Sequence, residues 1–399
     1  MKKHMKSFDF LRGLGVFFVL ALHTAFYFYA DIYDVDMENP SLIITIIGFL
    51  LMFAGLFAMV SGASYTVQFL NTDTDKRSNK IKHMTKSGFL LLIVAYLYFL
   101  ITGPGIIHFD SRSMDESLLV SLINQGSFQP LTLERIFYVD SLVMLSLNII
   151  LLAIVFKGIK KYIEKKNMVY YLLIGATLFM ALSYVRIPLY QFYIDALDDK
   201  NYFVMLLLNF FVGKNNPIFP FFAFGLFGVW FALLIKNNPD SITKKVLPVI
   251  ICYLVIGITG YILAPETMLE RAIDPTWYFI MVIQVGLFLL MMLISYQLMD
   301  SKPFKENVIT RFISRFGVAG LTPFFFEQIV SALLFMIINL FLTIRFGIPG
   351  AILYGFILAI TWGFFLMYWE RKSYKYGLEW ALVHLNPSFS SKKEKLEGK

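Results

Sequence analysis

The chain reads as an all-α, polytopic membrane bundle of about ten spanning helices, with both termini in the cytoplasm. Three observations carry this expectation. Hydrophobic residues make up 58% of the chain and charged residues only 16%, at a mean hydropathy of +0.68. A soluble domain of this length carries far more charge. Apolar runs of about 20 residues, the length that crosses a hydrocarbon core as a helix, recur along the chain. Helices follow because backbone groups in lipid must be satisfied internally. The loops between these runs alternate in charge, which sets orientation.

The ten segments are 8–30, 41–70, 86–103, 137–156, 169–190, 217–235, 246–264, 276–299, 318–343 and 348–369. A further apolar piece, 202–212, is too short to span and reads as re-entrant or interfacial. The N-terminal run continues through Tyr29 with large aromatics and no small-residue cleavage site, so it reads as a retained first helix. Lys2, Lys3 and Lys6 precede it, and Asp31, Asp34, Asp36 and Glu38 follow it. Lys76, Arg77, Lys80, Lys82 and Lys86 make the next loop basic, as Lys157, Lys160, Lys161, Lys165 and Lys166 do later. Asp195, Asp198 and Asp199, then Glu266, Glu270 and Asp274, mark acidic loops. Lys236, Lys244 and Lys245 follow the sixth segment, and Lys302, Lys305, Arg311 and Arg315 precede the ninth. With every second loop basic, both termini are expected inside. The net charge of +8 therefore reflects topology and not nucleic-acid binding. Residues 1–387 are expected to form one transmembrane domain, and the Lys-rich tail 388–399 to be disordered. The loop 104–136 is too long for a plain connection and is expected to carry a short interfacial helix over an outer cavity.

Ionisable groups at membrane depth are the candidates for chemistry. Arg12 and His23 share the first helix, eleven positions apart, about 16 Å along its axis. That places Arg12 near one face and His23 near mid-membrane. His23 is a candidate general base or acyl-accepting nucleophile, with an interhelical hydrogen bond as the alternative. Arg12 suits a phosphate or pyrophosphate, or anchors the helix and pairs with Asp9. Gly13 beside it permits close backbone approach. Glu327 lies about nine residues into the ninth segment, where it either orients His23 or serves as a structural carboxyl. Arg186, near the outer end of the fifth segment, and Asn148 are candidate contacts to an acceptor, against snorkelling and interhelical bonding. Asn209 and Gln284 are further intramembrane polar groups, and His108 and Asp110 lie in the long outer loop. The single cysteine, Cys252, cannot form an intrachain disulfide and is expected to pack in the core. HExxH, Cys/His clusters, GxSxG, a P-loop lysine and GxGxxG are all absent from the sequence. No metal is expected.

The stretch Asp9-Phe10-Leu11-Arg12-Gly13, followed by His23, resembles the first helix of the transmembrane acyltransferase superfamily. That group includes acyltransferase family 3 and the heparan-α-glucosaminide N-acetyltransferase family with its prokaryotic relatives. The run from Phe53 to Gly62 resembles the end of their second helix. Pro217 to Gly228 resembles the "PxxPWxGxxxxG" segment of the prokaryotic N-acetyltransferase-like proteins, with Phe221 in place of Trp. Tyr376-Gly377-Leu378-Glu379-Trp380 resembles a "GPLEW" tail of a related membrane family, without the proline. The resemblance implies transfer of an acyl group, usually acetyl, from cytoplasmic acyl-CoA to a sugar, glycan or lipid-linked acceptor outside. It implies a catalytic role for His23 and a donor-binding or structural role for Arg12. Family 3 members carry an RxxR-type motif after the second helix. Here Arg77, Lys80 and Lys82 stand in that loop and supply generic phosphate attraction for the donor. The expected setting is the cell membrane, with lipids as neighbours; the oligomeric state, a homodimer included, is open. The rival reading is a proton-coupled transporter or flippase of a glycan or lipid precursor, which also uses intramembrane Arg, Glu and His. Transporters show inverted repeats and broken helix pairs, and no clear version of either is visible here.

Overall fold

The computed structural model describes residues 4–36, 40–264 and 273–386. Lys2, Lys3, Glu38, Glu266, Glu270 and the tail 388–399 lie outside the described residues. The helices are α1 (Lys6–Tyr27), α2 (Leu42–Leu51), α3 (Ala54–Leu70), α4 (Arg77–Leu97), α5 (Leu118–Gln125), α6 (Leu133–Ile136), α7 (Ser141–Ile159), α8 (Met168–Leu182), α9 (Arg186–Asp198), α10 (Tyr202–Val212), α11 (Ile218–Asn237), α12 (Ile242–Leu263), α13 (Pro275–Met299), α14 (Val308–Ala319), α15 (Leu321–Phe341), α16 (Ile348–Glu370) and α17 (Leu378–Leu385). A two-stranded antiparallel hairpin, β1 (Ile106–His108) and β2 (Ser113–Asp115), sits between α4 and α5, with Ile106 opposite Asp115.

Among the described residues, ten helical stretches are long and apolar enough to cross a membrane, and they coincide with the ten apolar segments of the sequence. The fold is an all-α membrane bundle. The short apolar piece is the separate helix α10. Two basic stretches expected as loops are helical, and the first, carrying Arg77, Lys80, Lys82 and Lys86, is the start of α4. The basic stretch before the ninth segment is the twelve-residue helix α14, with Ile313, Phe316, Gly317 and Ala319 buried on one side. Spacings of three and four put these residues on one helical face, leaving Arg311 and Arg315 to the polar side.

The chain divides into two compact units. The first comprises 1–12, 53–92 and 139–306, and the second comprises 13–52, 93–138 and 307–399. The boundary therefore falls inside α1, after Arg12, and inside α4, after Leu92.

The first unit is organised on α11, the most enclosed of the ten candidate spans. Its glycines let α3 approach closely. A Cβ on Gly228 would lie 1.9 Å from the Met59 carbonyl oxygen, and one on Gly62 would lie 2.1 Å from that of Gly225. Both stretches resemble family motifs, and here they form one small-residue contact between helix backbones. Cys252 does not pack in the core: it is exposed on α12, where Ile251, Val255 and Ile256 are exposed as well.

In the second unit, α1 is gripped from two sides at small residues. A Cβ on Gly13 would lie 2.0 Å from the Ile313 carbonyl oxygen of α14. A Cβ on Gly355 of α16 would lie 1.9 Å from the Ala21 carbonyl oxygen. Neither position admits a side chain, so these contacts determine where α1 sits within its unit. Around them Phe17 makes edge contacts with Phe312, Phe316 and Phe356. The segment 104–136 carries the hairpin and two short helices, α5 and α6.

Candidate active site

The second unit brings His23 and Glu327, 304 positions apart in sequence, to 2.8 Å. The Glu327 side chain is fully buried and that of His23 is 23% exposed. The Nδ1–H of His23 donates to Oε1 of Glu327 in the tautomer this pairing selects, since an ionised carboxylate can only accept. Nε2 then carries the lone pair, and among the described residues it has no hydrogen-bond partner. The Tyr98 hydroxyl donates to the same Oε1 at 3.0 Å. Oε2 of Glu327 is buried and accepts no hydrogen bond from the described residues. The Phe324 ring, one turn before Glu327 on α15, lies 6.2 Å from the imidazole and 4.9 Å from the Tyr98 ring.

Each side chain is placed by its own element. His23 projects from α1 two residues beyond Ala21, where Gly355 closes on the backbone. Glu327 projects from the first third of α15. Tyr98 begins a π-helical turn, Tyr98–Thr102, at the end of α4. Such wide turns inside helices are frequent at functional sites. Tyr98 is the residue that reading the sequence missed. It sits in an apolar run with neighbouring aromatics, and nothing in that pattern separates it from a core tyrosine.

One turn beyond His23, the Tyr27 hydroxyl donates to the Gly105 carbonyl, at the start of the long loop. Residues i and i+4 share a helix face, so the loop is tied to α1 about 6 Å above His23 along its axis. Arg135 holds the rest of this segment. Its Nε donates to Asp115 Oδ1 at 2.9 Å, its Nη1 to the Phe99 carbonyl at 2.6 Å, and its Nη2 to the carbonyls of Pro104 and Asp115. The guanidinium also lies 4.8 Å over the Phe99 ring. A fully buried charge is tolerated when paired and hydrogen-bonded in this way.

The remaining predicted site residues all lie in the first unit. Arg12 Nη2 donates to Ser64 Oγ at 3.2 Å, its Nη1 stands 3.8 Å from Asp9 Oδ1, and the side chain is 36% exposed. Arg77 is buried; it donates to Glu164 and its guanidinium lies 5.3 Å over the Phe69 ring. Lys236 donates to the same Glu164 oxygen at 3.2 Å. The two cations hold the Glu164 carboxyl below the usual carboxylate range, the Arg77 hydrogen bond contributing most. Lys80 donates to Gln68 Oε1 at 2.7 Å, and Lys82 is exposed. Arg186 is buried, with Nε on the Val212 carbonyl at 3.0 Å and Nη2 on the carbonyls of Gly213 and Lys214 at 2.5 and 3.0 Å. Its guanidinium stacks 4.3 Å over Trp277. Asn148 Nδ2 donates to the Phe221 carbonyl at 3.3 Å, and its Oδ1 abuts Gly225. Asn148 and Arg186 thus brace α11 and the turn after α10.

Chemically, a carboxylate on Nδ1 and an open Nε2 make a base or nucleophile of fixed tautomer and direction. The family model described as the catalytic domain of heparan-alpha-glucosaminide N-acetyltransferase matches residues 5–257, which include Arg12 and His23. No curated protein and no solved structure matches the chain. Since that model spans more than half of the chain, the protein belongs to the heparan-α-glucosaminide N-acetyltransferase catalytic family.

Proposed function

We propose that the protein is a multi-pass membrane acetyltransferase. It moves an acetyl group from a cytoplasmic acyl-CoA to an amine or hydroxyl of a sugar, glycan or lipid-linked acceptor on the outer side of the cell membrane. The observation that carries this reading is the His23–Glu327 pair, which leaves Nε2 of His23 open. In direct transfer, Nε2 takes the proton from the acceptor heteroatom as that atom bonds to the thioester carbon. The C–S bond then breaks, and the imidazolium returns the proton to the departing thiolate. In the two-step route, Nε2 bonds to the carbonyl carbon as the C–S bond breaks and the thiolate leaves. The acceptor heteroatom then bonds to that carbon, the C–Nε2 bond breaks, and the acceptor's proton passes to the freed Nε2 and on to the thiolate. Glu327 orients the ring in both, and Tyr98 steadies Glu327.

Arg12, Lys80 and Lys82 are the candidates to meet the donor's phosphates, as partly or fully accessible cations in the first third of α1 and the first turns of α4. Arg77, Arg186 and Asn148 take scaffold roles in this reading, because protein acceptors engage their donors. The basic loops support a cytoplasmic setting for both termini, which a C-terminal reporter active on only one side of the membrane tests. The activity is tested on purified protein with acetyl-CoA and hexosamine acceptors, by following thiol release and the acetylated product. Wild type is expected to release thiol in step with product. His23→Ala is expected to fold, insert and release none; full turnover in that variant rejects the mechanism.

A further inference from the structure

The C-terminal helix α17 begins just after Gly377, and its first residues close on the start of α15. Oε1 of Glu379 accepts the backbone N–H groups of Leu321 at 2.6 Å and Thr322 at 3.2 Å. Oε2 accepts the Thr322 hydroxyl at 2.6 Å. Thr322 Oγ1 in turn accepts the N–H of Leu378 at 2.8 Å. The first N–H groups of a helix have no partner inside it, and here each is accounted for. Glu379 takes those of Leu321 and Thr322, Pro323 has none, and Phe324 bonds back to the Gly320 carbonyl at 3.0 Å. The N-cap position itself is Gly320, which has no side chain to supply a cap. A carboxylate is also the favoured charge at this end of the helix dipole.

The clasp requires close approach. A Cβ on Gly377 would lie 2.3 Å from Trp369 Cη2 and 2.9 Å from Thr322 Oγ1. Glycine at that position lets the chain pass between them. The stretch that resembles a family tail motif therefore closes the N-terminus of another helix.

We propose that Glu379 is a positioning residue for Glu327; the proposal rests on the His23–Glu327 pair being the working pair. Glu327 follows Leu321 by six residues on the same helix, about 9 Å along its axis. Capping at Leu321 and Thr322 holds the axial and rotational setting of α15. A displacement of about 1 Å at Glu327 takes its bond to His23 out of hydrogen-bonding range. The other partner's helix is held in the same manner, since the N–H groups of Lys6 and Ser7 at the start of α1 donate to Asp300 at 3.1 and 3.0 Å.

The test uses full-length protein carrying nitrogen-15-labelled histidine. The His23 Nδ1 resonance is assigned by its loss in His23→Ala, and Glu327→Gln supplies the signature of the altered bond. In Glu379→Ala the resonance is expected to move at least half of the way toward that signature. In Glu379→Gln, whose amide oxygen still accepts the backbone N–H groups, it stays near wild type. Turnover with acetyl-CoA and a hexosamine is expected to fall about tenfold in kcat in Glu379→Ala, with the donor KM within about twofold. Thr322→Val, which removes only the hydroxyl from the clasp, shifts the resonance in the same direction by less and serves if Glu379→Ala does not fold. An unshifted resonance in the folded variants overturns the positioning role and leaves the acetyl-transfer reading standing. A shifted resonance in a protein that transfers no acetyl group supports the clasp and removes the proposed chemistry.

Discussion

The two units handle buried charge differently. In the first, the guanidinium groups of Arg77 and Arg186 are turned onto protein acceptors: a carboxylate and an aromatic ring for Arg77, backbone carbonyls and an indole for Arg186. In the second, Arg135 is enclosed likewise, but the His23–Glu327 pair keeps two polar atoms without a partner among the described residues, Nε2 of His23 and Oε2 of Glu327. A buried polar atom with no partner costs stability. Such atoms occur in the first unit as well, Arg77 Nε and Asn148 Oδ1 among them; what sets the second unit's pair apart is that its unpartnered oxygen belongs to a carboxyl that holds an imidazole 23% exposed. Burial alone does not separate the two cases, because Arg186 and Glu327 are both deeply buried; what separates them is that Arg186 donates to backbone carbonyls while Glu327 holds a partly exposed imidazole.

That contrast can be broken by substitution. The largest expected effect is Glu327→Gln, which removes the charge that orients the imidazole. Transfer should fall by about two orders of magnitude in single-turnover assays, with the thermal midpoint of the purified protein little changed. Arg186→Met should do the reverse. Three backbone carbonyls lose their donor, so stability falls by about 3 kcal/mol, seen as a lower thermal midpoint, while turnover per folded molecule is retained. If Arg186→Met instead abolished transfer in folded protein, the division into scaffold and site would fail. Tyr98→Phe deletes one hydrogen bond to Glu327 and should cost about tenfold in kcat, the acyl-CoA KM staying level.

The smallest effect belongs to Glu164, whose side chain is 53% exposed between Arg77 and Lys236. Its carboxyl is held below the usual range. Its contribution is therefore present above the ordinary carboxylate pKa and is lost as the pH falls through the lowered folded value. Glu164→Gln should lower stability by less than about 1 kcal/mol at neutral pH. The difference from wild type should close in acid, as melting curves recorded across that range would show.

Much of the bundle was legible in the residue pattern, because a lipid-crossing helix announces itself by length and hydropathy alone. All ten spans were readable in this way. Helix α14 was not, since Arg311 and Arg315 make its twelve residues look like one more basic loop. Its spacing of Ile313, Phe316 and Gly317 was the available signal. Arg12 and His23 stood out as charges in an apolar helix, and Glu327 for the same reason. Arg77, Arg186 and Asn148 stood out equally, and turned out to face protein acceptors. Tyr98 carried no signal, as one of 22 tyrosines in an aromatic-rich chain. Glu379 was visible only as part of a motif with no structural role attached, because its partners lie 57 and 58 positions earlier.

From sequence alone came the number of spans and the small set of ionisable groups within them. Both follow from a local rule: each residue's transfer cost between water and lipid depends on its own side chain and its near neighbours. The tertiary structure decided which of those groups meet. It joined His23 to Glu327, closed Arg186 onto backbone carbonyls and set Glu379 at the head of α15. A hydrogen bond depends on distance and direction between atoms that the chain brings together only when its helices pack.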